Sequence, residues 1–468
     1  MRMMCMMCMK RMKILLLVIM VLLNPNLHRL GTVFAAVGPG EPGDIQELSL
    51  KEAQAYAVKH STATQNARLD VAMAKKKIWE TTAAGLPQIS ASASYMNNLQ
   101  IPTTLIPAEF LDPDAEPGTF IGVKFGTQHN ATLSLTLNQL IFSGSYIVGL
   151  QAARIYLQLS QDQLIKSEID VKEAVTNTYY LILLAEDNKR TLEASLQNMK
   201  KTLEETKELY KAGFVDDTDA DQIQLSVTEI ENALGSIARQ VEITYRLLKF
   251  RMGFDLQKDI RLSQALEDIL KEIDSEELLT SGFNLFDHID YRMVDTREKS
   301  LTLLLRREKT EYLPTISAFL SHNRMAMRDT FNFFSKEKWF PSTAVGLNIS
   351  IPIYSSGMRG ARVAQAKMDL EKAVNLKQQV EDGLKLELLQ ARSAFTDGLE
   401  KTKSTKDNVK LAKKIYDNTL IKYTSGTASS LELTQVHNQY LTAESNYTRA
   451  VVDLLNAKTR LDKALNRL

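Results

Sequence analysis

Two stretches decide how this chain folds: Gly85-Leu86-Pro87-Gln88-Ile89-Ser90-Ala91 and, much later, Tyr312-Leu313-Pro314-Thr315-Ile316-Ser317-Ala318. They are versions of one sentence. Leu140-Ile141-Phe142-Ser143-Gly144 returns as Pro352-Ile353-Tyr354-Ser355-Ser356-Gly357, and Tyr210-Lys211-Ala212-Gly213 returns as Tyr423-Thr424-Ser425-Gly426. Gly144 and Gly357, like Gly213 and Gly426, are 213 positions apart, whereas the two Leu-Pro stretches are 227 apart. Three matches in one order mark an internal duplication. The unequal offset means that the first half has a longer loop or a shorter helix-side segment than the second.

Working outward, each half reads helix, strand, loop, strand, long helix, turn, helix. The strand pairs, about 87–142 and about 314–354, have the period of two that belongs to a sheet with unlike faces. Ile89, Ala91, Ala93 and Tyr95 alternate with serines, and Leu133, Leu135 and Leu137 with Thr, Ser and Asn. Ile316, Ala318 and Leu320 form the third apolar row, and Val345, Leu347, Ile349, Ile351 and Ile353 the fourth. The polar partners are small hydroxyls and amides. This suits a barrel with lipid outside and a wet lumen, though a sandwich with one solvated face has the same alternation. Ile101 to Asn130, with four prolines, reads as an exposed loop.

The following segments change period. Ile223, Val227, Ile230, Leu234, Ile237 and Val241 step by fours and threes, as do Leu433, Val436, Tyr440, Ala443, Tyr447 and Ala450. That is a coiled-coil seam. Ser145–Ala212 and Met358–Ser425 are 68-residue stretches without proline. As helix each would run on the order of 100 Å at ~1.5 Å per residue, which implies a rod or a tube.

Residues 1–35 are different in kind. Arg2, Lys10, Arg11 and Lys13 precede an apolar run, Ile14–Leu23, and small residues follow at Ala35 and Ala36. This reads as a secretory signal peptide, cleaved after Val33-Phe34-Ala35; the run is about half the ~20 residues a membrane-crossing helix needs. The true start is Met1 or a later methionine such as Met9 or Met12. Five of the 57 basic residues lie in this segment, leaving 52 against 56 acidic ones, and Cys5 and Cys8 are the only cysteines. The exported part therefore depends on neither disulfides nor thiolate metal sites, and its near-neutral balance gives no case for nucleic acid. No later stretch is apolar enough for a membrane helix, so any membrane span must be built of strands. Four strands cannot close a barrel when the smallest use about eight, so several chains must pool theirs.

Leader, duplication, Leu-Pro before the first strand of each half and Tyr-x-x-Gly at the turn between long helices together resemble the TolC-like outer-membrane efflux proteins, across essentially the whole exported chain. The resemblance implies an α+β membrane protein. Four strands per chain would join a trimeric twelve-stranded barrel, continued by a periplasmic tunnel of coiled-coil-like helices with a small mixed equatorial region. Residues 36–252 and 286–468 would be the two repeats, with 253–285 and the stretch after the leader forming the equatorial belt. The implied function is a passive, gated exit duct through outer membrane and periplasm. The implied partners are two further copies, outer-membrane lipid, a periplasmic adaptor (membrane fusion protein) and an inner-membrane pump, with drugs, metals or polypeptides as cargo.

The resemblance also places a gate at the helix turns, 213–218 and 426–430, with Gly213 and Gly426 at the helix ends. Glu432 falls where the family has the first acidic residue of a tunnel-entrance ring. The second acidic position falls on Gln435. Asp219 and Tyr423 match a closing hydrogen-bond latch, whose arginine position is Ala428. The residues themselves suggest capping: Ser429-x-x-Glu432 fits a capping box, and Asp216-x-x-Asp219 is a poorer one. Phe331, Phe333, Phe334, Trp339 and Phe340 crowd the loop before the fourth strand, either as a membrane-interface girdle or as a loop packed on itself. The histidines have no metal-site spacing, and no phosphate loop or serine elbow stands out, so neither catalysis, cofactor nor metal is expected. The competing class is an exported periplasmic coiled-coil scaffold or adaptor without a barrel.

Overall fold

A computed structural model describes residues 46–468 apart from 112, 272 and 336. The expected leader, its cleavage site and its start lie outside the described residues. The chain opens with β1 (Gln46–Leu48), α1 (Leu50–His60) and α2 (Thr62–Ala83). The first half continues through β2 (Gln88–Asn97), a short hairpin β3 (Thr103–Pro107) and β4 (Phe120–Lys124), then β5 (His129–Phe142), α3 (Gly144–Lys211) and α4 (Asp217–Met252). A connecting stretch holds β6 (Ile260–Leu262), α5 (Leu266–Lys271) and α6 (Ser275–Thr280). The second half is α7 (Ile289–Thr310), β7 (Thr315–Arg328), β8 (Phe340–Ser350), α8 (Met358–Thr424) and α9 (Ser430–Ala464).

The strand pairs of both halves form one antiparallel sheet of order β2-β5-β7-β8. Its register aligns Ile89 with Leu137, Leu320 and Val345 in one row. Because side chains alternate across a strand, Ile89, Ala91, Ala93, Leu133, Leu135, Leu137, Ile316, Leu320, Val345, Leu347 and Ile349 share one face, and most of the serines, threonines and asparagines lie on the other, together with Phe319 and Met325. The apolar face is not covered: Ile89, Leu135, Val345 and Leu347 are exposed.

Two expectations change. β8 ends at Ser350, so Ile351 and Ile353 lie beyond the ladder. Pro352, which has no N–H to donate, stands between them, and its carbonyl accepts from the Arg359 guanidinium at 2.5 Å. The segment 101–130 is not simply loop: β3 and β4 pair across it, from Thr103 opposite Lys124 to Pro107 opposite Phe120. This extra hairpin accounts for the unequal repeat offset as a longer loop in the first half.

The helices follow from what surrounds them. Ser143 caps α3 by accepting from the Tyr146 N–H at 3.3 Å. No proline interrupts the next 68 residues, giving a rod on the order of 100 Å at ~1.5 Å per residue. The seam residues turn inward: Ile223, Val227 and Ile230 of α4 and Leu433, Ala450, Leu454 and Leu461 of α9 are buried. Phe395 of α8, fully buried, packs with Leu454 and Leu461 of α9. Asp162 of α3, 1% exposed, takes the Arg292 guanidinium of α7 at 2.5 Å and so joins the two halves. A buried carboxylate needs such a partner.

β1 pairs in parallel with β6, from Gln46 opposite Ile260 to Leu48 opposite Leu262. The connecting stretch reaches β6 through Gly253, which ends α4 at φ +69°. A Cβ there would stand 2.5 Å from the His60 carbonyl oxygen at the end of α1. Gly253→Ala should therefore be destabilising by more than the ~1–2 kcal/mol of a left-handed alanine alone. The midpoint of thermal unfolding measures it; an unchanged midpoint would mean that α1 gives way.

Candidate functional site at the helix turns

Each long helix ends in the same way. Gly213 has φ +82° and Gly426 φ +73°. Gly213 N–H donates to the Tyr210 carbonyl at 2.9 Å and Phe214 N–H to Leu209 at 2.9 Å. In the second half, Gly426 donates to Tyr423 at 3.0 Å and Thr427 to Lys422 at 2.8 Å. This pairing, with a left-handed glycine, satisfies the carbonyls that a helix end leaves open.

The return helices begin differently. The Ser429 hydroxyl accepts from the Glu432 N–H at 3.2 Å. The Glu432 carboxylate does not complete the capping box: it is exposed and without a hydrogen bond among the described residues. At the first turn, Asp216 makes no side-chain cap. The Asp219 backbone N–H instead donates to the Asp216 carbonyl at 3.1 Å, which frees both carboxylates for other work.

Asp219 uses that freedom. Its Oδ1 accepts from the Ser430 hydroxyl at 2.5 Å, joining the start of α4 to the start of α9. Tyr423, at the end of α8, shares a hydrogen bond of 2.8 Å with Thr206 of α3. Burial pushes the Tyr423 phenol above its ordinary pKa, so it stays a neutral donor. Asp219 and Tyr423 are thus not bonded to each other; they belong to two separate ties between the hairpins. Ser226 of α4 and Thr434 of α9 add a contact at 3.4 Å. Nothing in the sequence around the helical hydroxyls of Thr206, Ser430, Ser226 and Thr434 announces a partner on another helix.

Gln435 is exposed and borders an open groove of uncharged side chains lined by α4, α8 and α9, with Gln222, Asn408, Thr434, Asn438 and Gln439. Further from the turns, His437 of α9 is 1% exposed, with Nε2 2.6 Å from the Ser195 hydroxyl of α3 and its ring 5.1 Å from that of Tyr416. Its Nδ1 has no partner among the described residues. The neighbouring groups are the neutral phenols of Tyr416 and Tyr440, both raised by burial. Among the described residues no group of three or more His, Cys, Asp or Glu is placed to hold a metal ion.

The aromatic loop lies at the far end of the sheet. Phe331 and Phe333 meet edge to face at 5.4 Å, each also packs on Tyr95 of β2, and Phe333 lies 6.3 Å from Trp339. Phe334 is 94% exposed and Phe340 also stands open. Part of the loop packs on itself, and part presents rings outward.

The family model for outer membrane efflux proteins matches residues 56–253 and 305–467. A search of the curated proteins finds no match. Among solved structures, the chain is similar to the outer membrane protein VceC of Vibrio cholerae, at 15% identity and TM-score 0.67 over 89% of this chain and 95% of that one. It is similar to the CmeC outer membrane channel of Campylobacter jejuni, at 16% identity and TM-score 0.68 over 92% and 90%. It is also similar to the MtrE outer membrane channel of Neisseria gonorrhoeae in its open state, at 15% identity and TM-score 0.68 over 89% and 88%.

Burial pushes the His437 pKa down from 6.5 to about 4. Unfolded chains take up this proton as pH falls below about 6.5, whereas folded chains resist until about 4, so the residue's contribution is whole above that window and lost on descending through it. The loss is on the order of 3 kcal/mol. The thermal midpoint should fall from pH 6.5 to 4 in the wild type and fall less in His437→Gln; parallel profiles would remove His437 as the cause.

Proposed function

We infer the function of this chain from its family: it belongs to the outer membrane efflux proteins, and it is a channel protomer of an efflux system. As the finer reading, three copies pool their strands into a twelve-stranded barrel in the outer membrane. Their long helices continue as a tunnel across the periplasm. The observation that carries this is the sheet: β2 and β8 are its outer strands, with no partner strand among the described residues, and one of its faces is apolar and uncovered. Open edges in lipid would cost several kcal/mol per unpaired group, which pairing β8 of one copy with β2 of the next removes.

On this reading the leader directs export, and the stretch 253–285 with β1 forms an equatorial belt around the helices. The exposed rings of Phe331, Phe334 and Phe340, with the half-buried Phe333 and Trp339 beside them, form an aromatic girdle at the membrane surface. A periplasmic adaptor and an inner-membrane pump dock at the helix ends and choose the cargo. The turns are the gate. Tyr423 with Thr206 and Asp219 with Ser430 hold the two hairpins together in the state described. Glu432, whose carboxylate has no hydrogen bond or ion pair among the described residues, supplies one carboxylate per copy to the entrance, with Gln435 a neutral step further in. The open state in which MtrE was solved supports a fold able to open.

Fractionation tests the reading directly: the protein should be recovered from detergent-extracted outer membrane as a trimer, and recovery as a soluble periplasmic monomer would overturn it. For the gate, Glu432→Gln should lower cation selectivity in single-channel recordings with the thermal midpoint unchanged. Combining Tyr423→Phe with Asp219→Ala should raise the open fraction of the channel; a channel that stays as closed as the wild type would show that these ties do not hold it shut.

A further inference from the structure

The sheet contains an unbalanced charge. β2, β5, β7 and β8 include no Asp, Glu or Lys. Their arginines are Arg324 and Arg328, both in β7. Arg328 is matched, with its Nε 2.8 Å from Glu337 of the following loop. Arg324 is exposed and has no hydrogen bond or ion pair among the described residues.

Its place makes this unusual. The register puts Arg324 opposite Leu133 and Pro341, in the row begun by Ala93, so it shares the apolar face. His322 stands in the adjacent row of that face, opposite Leu135 and Thr343, with its Nδ1 2.8 Å from the Thr343 hydroxyl. The small side chains of Ala91 and Ala93 leave a shallow depression in front of the two basic residues. Arg324 is nine residues beyond Thr315, the helix-side end of β7. That is about 30 Å along the strand at ~3.3 Å per residue, or about 23 Å of height at a tilt of ~40°. An apolar barrel band is ~25 Å tall, so the guanidinium stands at its rim on the side away from the helices.

We propose that Arg324, with His322 beside it, is a lipid-facing site for the anionic phosphate headgroup of an outer-leaflet glycolipid. The site rests on the barrel reading above, which puts the helices in the periplasm and this rim in the outer leaflet. A guanidinium presents a planar fork of donors that fits phosphate oxygens two at a time. Lipid phosphate is the anion that reaches this depth with its own acyl chains lying along the apolar rows. The depression between the alanines admits the first carbons of such a chain. An arginine facing lipid without a counter-charge would be destabilising, most at mid-bilayer and least at the interface. Headgroup binding turns that cost into an anchor that fixes the barrel's height.

The test uses the full chain in nanodiscs of phosphatidylcholine, with and without monophosphoryl lipid A. Lipid A should raise the wild-type thermal midpoint by about 3 °C, the size of one charge-assisted contact in a chain of this length. Arg324→Lys should keep part of the rise, and Arg324→Gln should lose most of it while melting like the wild type in phosphatidylcholine alone. An equal rise in Arg324→Gln would overturn the site. A rise produced by inorganic phosphate without lipid A would overturn the lipid assignment in favour of a soluble anion. Failure of the wild type to enter nanodiscs at all would overturn the barrel reading beneath it.

Discussion

The constraint on which the rest depends is the backbone hydrogen bond that one chain cannot make for itself. β2 and β8 each present a row of N–H and C=O groups to the outside of a sheet with an apolar, uncovered face. In water such an edge invites aggregation; in lipid it is not tolerated at all. Closure between copies, as proposed above, would answer both problems. It would also account for the helices, since strands pooled in a ring oblige the rods attached to them to stand in a ring as well.

Within the chain, duplication meets the same need at smaller scale. Each half supplies a strand pair and a helical hairpin, and β5 against β7 seals the two pairs into one sheet. The halves are alike at their glycine turns and unlike just beyond them, where one return helix begins with a serine cap and the other without a side-chain cap. The difference has a reason: a carboxylate not used in capping its own helix is available to the neighbouring hairpin, and Asp219 is used there.

The sequence made legible what depends on local rules. Alternation gave the strands and their faces, three-four steps gave the helical seam, and Gly213 and Gly426 gave the turns to the residue. It did not reveal what depends on distance. Thr206 and Tyr423 are 217 positions apart, and Ser195 and His437 are 242 apart; each is an ordinary helical residue until the helices are packed. The parallel pair of β1 with β6 is three residues long on each side, too short for any periodicity. Prolines at its margins mask the hairpin of β3 with β4. The apolar alternation of β8 continues past Pro352, where the ladder cannot, so the periodicity overstates the strand.

The ties between the hairpins share a chemistry: hydroxyl to hydroxyl and hydroxyl to carboxylate near the turns, hydroxyl to imidazole further along. Among the described residues, the ion pairs between the two hairpins are those of Lys463 with Asp170 and Glu173, well away from the turns. Ion pairs weaken as the Debye length contracts from ~30 Å in dilute water to about 3 Å in brine, whereas neutral hydrogen bonds are hardly screened. A cell envelope shares much of its small-ion content with the medium around it. A join made chiefly of hydroxyls, with Asp219 its carboxylate near the turns, loses little of its strength between fresh water and salt.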